Sequence, residues 1–216
     1  MKRWQVIALC AALIAVAAYF YFYRGGFGFG ATHSGAPAQG DMAGARPAKI
    51  QWQSISRPDE GFRLDMPSDP KDLQVPAHNE AGGTEPVKML VSSPDGDTTF
   101  VVTWADTPPV ARVNNRSPER TLDQARDGMI SRTQTTLVSE SKLTALPYPG
   151  REITAKNSEG GFLEARLLYV NDRLYTLMAL FPSQNARREQ DVVRFFNSFT
   201  PLRVSSTLPE ASAKGT

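Results

Sequence analysis

Residues 162–181 read Phe162-Leu163-Glu164-Ala165-Arg166-Leu167-Leu168-Tyr169-Val170, then Asn171-Asp172, then Arg173-Leu174-Tyr175-Thr176-Leu177-Met178-Ala179-Leu180-Phe181. Two largely apolar runs joined by two turn-forming residues are the pattern of a β-hairpin. The pattern extends backwards along the chain. Asn157-Ser158-Glu159-Gly160-Gly161 is a second tight connection, and Arg151 to Lys156 before it is a third strand, so the three form an antiparallel meander. A further strand around Leu137 to Leu143 precedes the turn Pro147-Tyr148-Pro149-Gly150.

Ser117-Pro118-Glu119 has the chemistry of a helix start: a capping hydroxyl, a proline whose missing N–H costs nothing in the first turn, and an acid facing the positive end of the helix dipole. Leu122, Ala125, Met129, Ile130 and Thr133 then recur at helical spacing and predict one buried stripe. Before this helix, Trp52 to Ser56 and Phe62 to Met66 alternate around the turn Pro58-Asp59-Glu60-Gly61. Leu73 and Val75 mark a short strand, followed by a polar loop from His78 to Glu85. Val87 to Ser92 and Thr98 to Ala105 flank Pro94-Asp95-Gly96-Asp97, a hairpin signal. At the other end, Ser183 or Asn185 opens a second helix with Val192, Phe195, Phe196 and Phe199 inward. Strands, helix, strands, helix is the order of an α+β layered domain with a mainly antiparallel sheet and two main helices.

The chain has 216 residues, so the domain at 50–203 leaves room for appendages only. One cysteine rules out an internal disulfide, and one Cys with two His falls short of a structural zinc set. The formal charge of +2 is unevenly placed. Six of the 24 basic and two of the 22 acidic residues lie in the flanks, which leaves the domain with 18 basic and 20 acidic residues. The densest basic group, Arg187, Arg188 and Arg194, is interleaved with Glu189 and Asp191 and reads as a solvated helix face. No nucleic-acid partner is expected, because such binding needs a concentrated cationic face.

From Trp4 to Tyr23 the sequence holds no charged residue. A helix of that length reaches ~30 Å, the thickness of a bilayer core. Trp4 at one end, and Tyr19, Tyr21 and Tyr23 at the other, are placed as membrane-interface aromatics. Lys2, Arg3 and the α-amino group outweigh Arg24, which sets the N-terminus in the cytoplasm and the rest of the chain outside. Residues 1–24 are therefore expected to be a transmembrane signal anchor in the cell (inner) membrane, with the lipid bilayer contacting residues 4–23. The alternative is a secreted protein cleaved after Ala15-Val16-Ala17. Cys10 inside this run is a small hydrophobe.

Residues 25–49 hold seven Gly, six Ala and two Pro, a composition that builds no core and acts as a flexible tether reaching ~25 to 30 Å. Gly25-Gly26-Phe27-Gly28-Phe29-Gly30 lacks both the preceding strand and the following Lys-Ser/Thr of a phosphate loop. Residues 204–216 read as a disordered tail.

Four stretches, in this order of elements, resemble the PsbP-like fold family, named for an extrinsic subunit of photosystem II. They are Gly61-Phe62-Arg63-Leu64-Asp65-Met66-Pro67, Tyr148-Pro149-Gly150-Arg151-Glu152, Asp172-Arg173-Leu174-Tyr175 and Phe195-Phe196-Asn197-Ser198-Phe199. The resemblance covers about residues 50–203. It implies an α/β/α sandwich-like arrangement of layers and a role as a protein-binding accessory, since known members mostly bind unrelated partners and many bacterial members are exported or anchored envelope proteins. It implies no catalytic residue.

The residues themselves supply few candidates for chemistry. Ser139-Glu140-Ser141-Lys142 has the spacing of a Ser-x-x-Lys motif, which belongs at a helix start, yet it lies in an alternating strand. Asp95 and Asp97 lack the later bidentate Glu of a calcium loop. Arg151 with Glu152, and Arg173 with Tyr175, are candidates to line a ligand pocket on the sheet, and His78 is the loop histidine available to a triad. Arg151 and Glu152 point to opposite faces, and both are expected to be solvated cross-strand partners. Trp52, Trp104 and Tyr148 are candidates for an aromatic contact patch, with the two tryptophans expected in the core. No metal, cofactor or catalytic residue is expected. The expected function is a single-pass, membrane-anchored, extracytoplasmic binding or accessory module that contacts an envelope protein. The alternatives are a small-ligand-binding domain and a hydrolase.

Overall fold

The computed structural model describes residues 49–78, 84–95, 98–106, 117–144 and 146–202, without the side chains of 76–86. The expected anchor with its interface aromatics, the tether as far as residue 48 and the tail lie outside the described residues. No helix among the described residues is long and apolar enough to cross a membrane.

The hairpin at 162–181 forms as its sequence dictates. Strands β8 (Phe162–Val170) and β9 (Arg173–Phe181) pair antiparallel from Phe162 opposite Phe181 to Val170 opposite Arg173. Asn171 and Asp172 both take positive φ, 49° and 60°, the geometry of a two-residue turn whose twist matches that of the strands. The remaining strands are β1 (Trp52–Arg57), β2 (Phe62–Pro67), β3 (Lys71–His78), β4 (Thr84–Ser92), β5 (Thr99–Asp106), β6 (Thr136–Lys142), β7 (Gly150–Lys156) and β10 (Thr200–Pro201). The helices are α1 (Pro118–Thr133) and α2 (Glu189–Ser198).

Seven strands form one antiparallel sheet in the order β3-β4-β5-β9-β8-β7-β6. It consists of two meanders, β3 to β5 and β6 to β9, joined by β5 against β9 at the centre, while α1 carries the chain from the central β5 to the edge β6. The first hairpin does not join this sheet. β1, β2 and β10 make a separate three-stranded sheet, so the single sheet read from the sequence is two.

Alternation along the strands sorts the core into two halves. Met89, Val101, Ile153, Leu163, Ala165 and Met178 meet Leu122, Ala125 and Met129 of α1 on one face. On the other face Phe100, Val102, Leu177, Ala179 and Phe181 meet α2 through Val192, Phe195 and Phe196, and meet the small sheet through Phe62, Leu64 and Met66. Strand β9 is covered on both faces, which is why it reads as a nearly continuous apolar run. The result is an α+β domain with helices on opposite faces of an antiparallel sheet.

Helix α1 starts as expected. The Arg120 N–H donates to Ser117 Oγ at 3.3 Å and Pro118 fills the first turn; Gln134 closes the helix in the left-handed region at φ 52°. The second helix begins later than its sequence predicts. Ser183 makes no capping hydrogen bond, residues Gln184–Ala186 form only a 3-10 turn, and Arg187 and Arg188 are extended. Ion pairs across the fold hold these two arginines, Arg187 to Glu164 at 2.5 Å and Arg188 to Asp95 at 3.2 Å, so the regular helix starts at Glu189 with acids in its first turn.

Candidate functional site

Arg151 is where the sequence reading needs correction. It was expected to be solvated, but its side chain is only 11% exposed, lying on the α1 face of β7 opposite Leu167. The edge strand and the helix above it wall it in with carboxylates. Its Nη2 donates to Glu119 Oε2 at 2.5 Å and Asp123 Oδ1 at 3.0 Å, both from α1, and Nη1 lies 3.3 Å from Glu140 Oε1 of β6. That last contact is electrostatic: Glu140 Oε1 accepts no hydrogen bond, while Oε2 accepts one from Arg126 at 2.8 Å. Arg126 has its guanidinium pushed to a higher pKa than usual, first by the hydrogen bond to Asp127 and further by Glu140, against the cost of burial. Lys142 lies 3.4 Å from Glu119. Four carboxylates and three cations therefore clamp α1 to β6 and β7. Every ionic group here has its opposite, and the arrangement holds helix to sheet.

Glu152, as expected, points the other way and accepts from Arg166 at 3.0 Å on the opposite face. Arg173 and Tyr175 also lie on that opposite face, so the structure brings these two together and keeps them apart from Arg151. Arg173 forms a forked pair with Asp106, at 2.6 and 3.2 Å, between the ends of β9 and β5. The Tyr175 hydroxyl donates to the carbonyls of Glu60 at 2.8 Å and Gly61 at 3.2 Å. It thereby fastens the β1–β2 turn, where Gly61 sits at φ 73°, to the main sheet. His78 is the last residue of β3, its backbone opposite Thr84, and its side chain lies outside the described residues.

Burial raises the pKa of Tyr175, with Arg173 opposing, and burial also raises that of Tyr148. A tyrosine whose folded pKa exceeds the unfolded value contributes stability that is complete below the unfolded pKa of about 10 and is lost as pH rises through the folded pKa. The melting temperature is therefore expected to fall as pH rises above about 10. Tyr175→Phe should flatten that fall, which thermal scans across the range would measure; an unchanged slope would count against burial as the cause.

The other sequence candidates resolve into structure. Asp95 Oδ1 accepts from the Thr98 N–H at 2.8 Å, as turn chemistry requires, and Asp97 lies outside the described residues. Trp104 is buried, and Trp52 is half-buried under the Arg194 guanidinium at 4.8 Å, so with half-buried Tyr148 they line the aromatic core and make no exposed patch. Arg194 pairs with Asp65 at 2.8 Å, so each arginine of the basic group has a carboxylate partner. A cavity of about 20 Å³ beside Thr133, Asn157, Phe162 and Phe181 has room for about one water. Among the described residues no group of three or more His, Cys, Asp or Glu could hold a metal ion.

What sequence reading missed is the edge strand β6. Three large apolar side chains are exposed among the described residues, and two of them, Leu137 at 39% and Val138 at 50%, are neighbours on this strand. The ladder to β7 slips between Leu137 and Ser139, a bulge at Val138, and apart from Glu140 every residue of β6 is exposed. Two adjacent apolar residues in an otherwise polar strand are the sequence trace of that bulge, since strict alternation places only one of them on the core face.

No family model matches the chain, and no curated protein matches it. Solved structures do match. One is the solution structure of cyanobacterial PsbP (CyanoP) from Synechocystis sp. PCC 6803, at 13% identity over 76% of this chain and 98% of that one, with a TM-score of 0.45. The solved structures that this chain is similar to thus include a PsbP, the family its sequence resembles, and at this identity and TM-score the likeness carries no activity across.

Proposed function

We propose that this protein is a single-pass, membrane-anchored binding module, held on the extracytoplasmic side of the cell membrane, that docks a protein partner of the envelope and performs no catalysis itself. The observation that carries the reading is the β6 edge, which among the described residues pairs an open row of backbone donors and acceptors with exposed Leu137 and Val138. Arg151, Arg173 and Tyr175 support it from the other side, because each is engaged in holding elements of the fold together. The uncharged run from Trp4 to Tyr23 and the Gly/Ala-rich segment after it supply anchor and leash. A leash of ~25 to 30 Å keeps the domain near other proteins of the same membrane, so a modest contact suffices for occupancy. A photo-crosslinking residue at Val138, activated in native membranes, is expected to yield a discrete protein adduct. Absence of any protein adduct from Val138 would overturn the reading.

A further inference from the structure

We infer that the β6 edge pairs with β6 of a second copy of this chain, antiparallel about a two-fold axis at Ser141, so that the seven-stranded sheet runs on from one molecule into the next; this rests on β6 being the docking edge. The sequence of the strand carries the inference. Glu140 and Lys142 lie on the same face, opposite Ile153 and Arg151 of β7, with Ser141 between them. An antiparallel partner centred on Ser141 sets Lys142 opposite Glu140 of the other copy, and the two-fold makes that pair twice. Centring on Glu140 opposes carboxylate to carboxylate, and centring on Lys142 opposes ammonium to ammonium, both unfavourable for directly facing residues. Centring on Ser139 opposes no charges and runs through the bulge. One register is therefore self-complementary. Lys142, 61% exposed, is accessible to take it up.

In the same register Val138 of one copy, at the bulge that ends the regular ladder, lies beside Thr144 of the other. The bulge itself limits regular pairing to about Ser139 to Leu143, a short ladder that needs help from proximity. Two copies anchored in one membrane have that proximity. The association also closes. A two-fold uses the same edge of both molecules and leaves no second β6 free. The opposite edge, β3, carries Pro76, which lacks an N–H to donate, and its Asp72 is tied to Arg57 of β1.

The test uses the full chain in native membranes, with Cys10→Ser removing the one natural cysteine and Ser141→Cys placed on the axis. Facing Cβ atoms in such a pair are about 4.5 to 5.5 Å apart, within reach of a disulfide or a short bismaleimide. A covalent dimer from Ser141→Cys, absent from the control Ser54→Cys on exposed β1, is the expected result. Adding Lys142→Glu should lower its yield roughly tenfold by turning both attractive pairs repulsive, with the thermal unfolding of the domain as the check on folding. No dimer above the control, or a yield indifferent to Lys142→Glu, would overturn the inference. If Val138 crosslinks to a different protein while Ser141→Cys gives no dimer, self-pairing is overturned and the binding-module reading stands; if neither site crosslinks, both fall.

Discussion

Arg151→Ala is expected to destabilise the domain by about 2 to 4 kcal/mol, measured as a lower urea midpoint at unchanged slope. Removing one partner of a buried ion pair leaves the other uncompensated, and fully buried cases cost about 3 to 5 kcal/mol. Here Glu119 and Asp123 are about half exposed and water repays part of the loss, whereas Glu140 is largely buried and keeps only Arg126. The contribution of charge separates from that of packing in a second variant. Arg151→Met keeps an apolar stem, so combining it with Glu140→Gln should recover part of the loss, because no orphaned carboxylate then remains on β6. A loss below about 1 kcal/mol for Arg151→Ala would place this network among ordinary surface pairs and would sink the clamp described above.

Phe62→Ala is expected to cost about 3 to 5 kcal/mol, a large share of the roughly 5 to 15 kcal/mol that holds a domain folded. The ring is fully buried, and its centroid lies 4.9 Å from Trp104, 5.9 Å from Tyr175 and 6.0 Å from Phe199. It is thus one of the contacts that join the three-stranded sheet to the main sheet and to the end of α2. Deleting it should shift the emission of Trp104 as well as the unfolding midpoint. A lowered midpoint with unchanged tryptophan emission would show that the joint does not run through Phe62.

The hairpin at 162–181, the capped start of α1 and the antiparallel meander were legible because each is specified locally, by alternation, by a two-residue turn or by a capping hydroxyl. Arg151 was not. Period-two alternation states which face a residue occupies and is silent about what covers that face, and here the cover is a helix whose Glu119 and Asp123 stand one turn apart above it. Those two acids, four positions apart on the flank of the stripe Leu122, Ala125 and Met129, are the trace in the sequence of a buried cation below. The start of α2 was misplaced for a related reason: Arg187 and Arg188 are held extended by Glu164 and Asp95, partners 23 and more positions away that no local pattern reports. The candidate pairing of Arg173 with Tyr175 was legible from their spacing, since i and i+2 share a face of a strand, but their work at the seam between the two sheets depends on Asp106, Glu60 and Gly61 far along the chain.

The union of β5 with β9 at the centre of the main sheet also bears on the order in which the molecule assembles. Its nearest contact across the seam, Asp106 with Arg173, closes 67 positions of chain, whereas each meander closes only short turns. Short closures are reached first and the long one last. As the chain emerges N-terminus first, β3, β4 and β5 therefore stand complete with Phe100, Val101 and Val102 along an unpaired border until β9 is made. The most deeply buried seam of the finished protein is, during its synthesis, the stretch that a chaperone has most reason to cover.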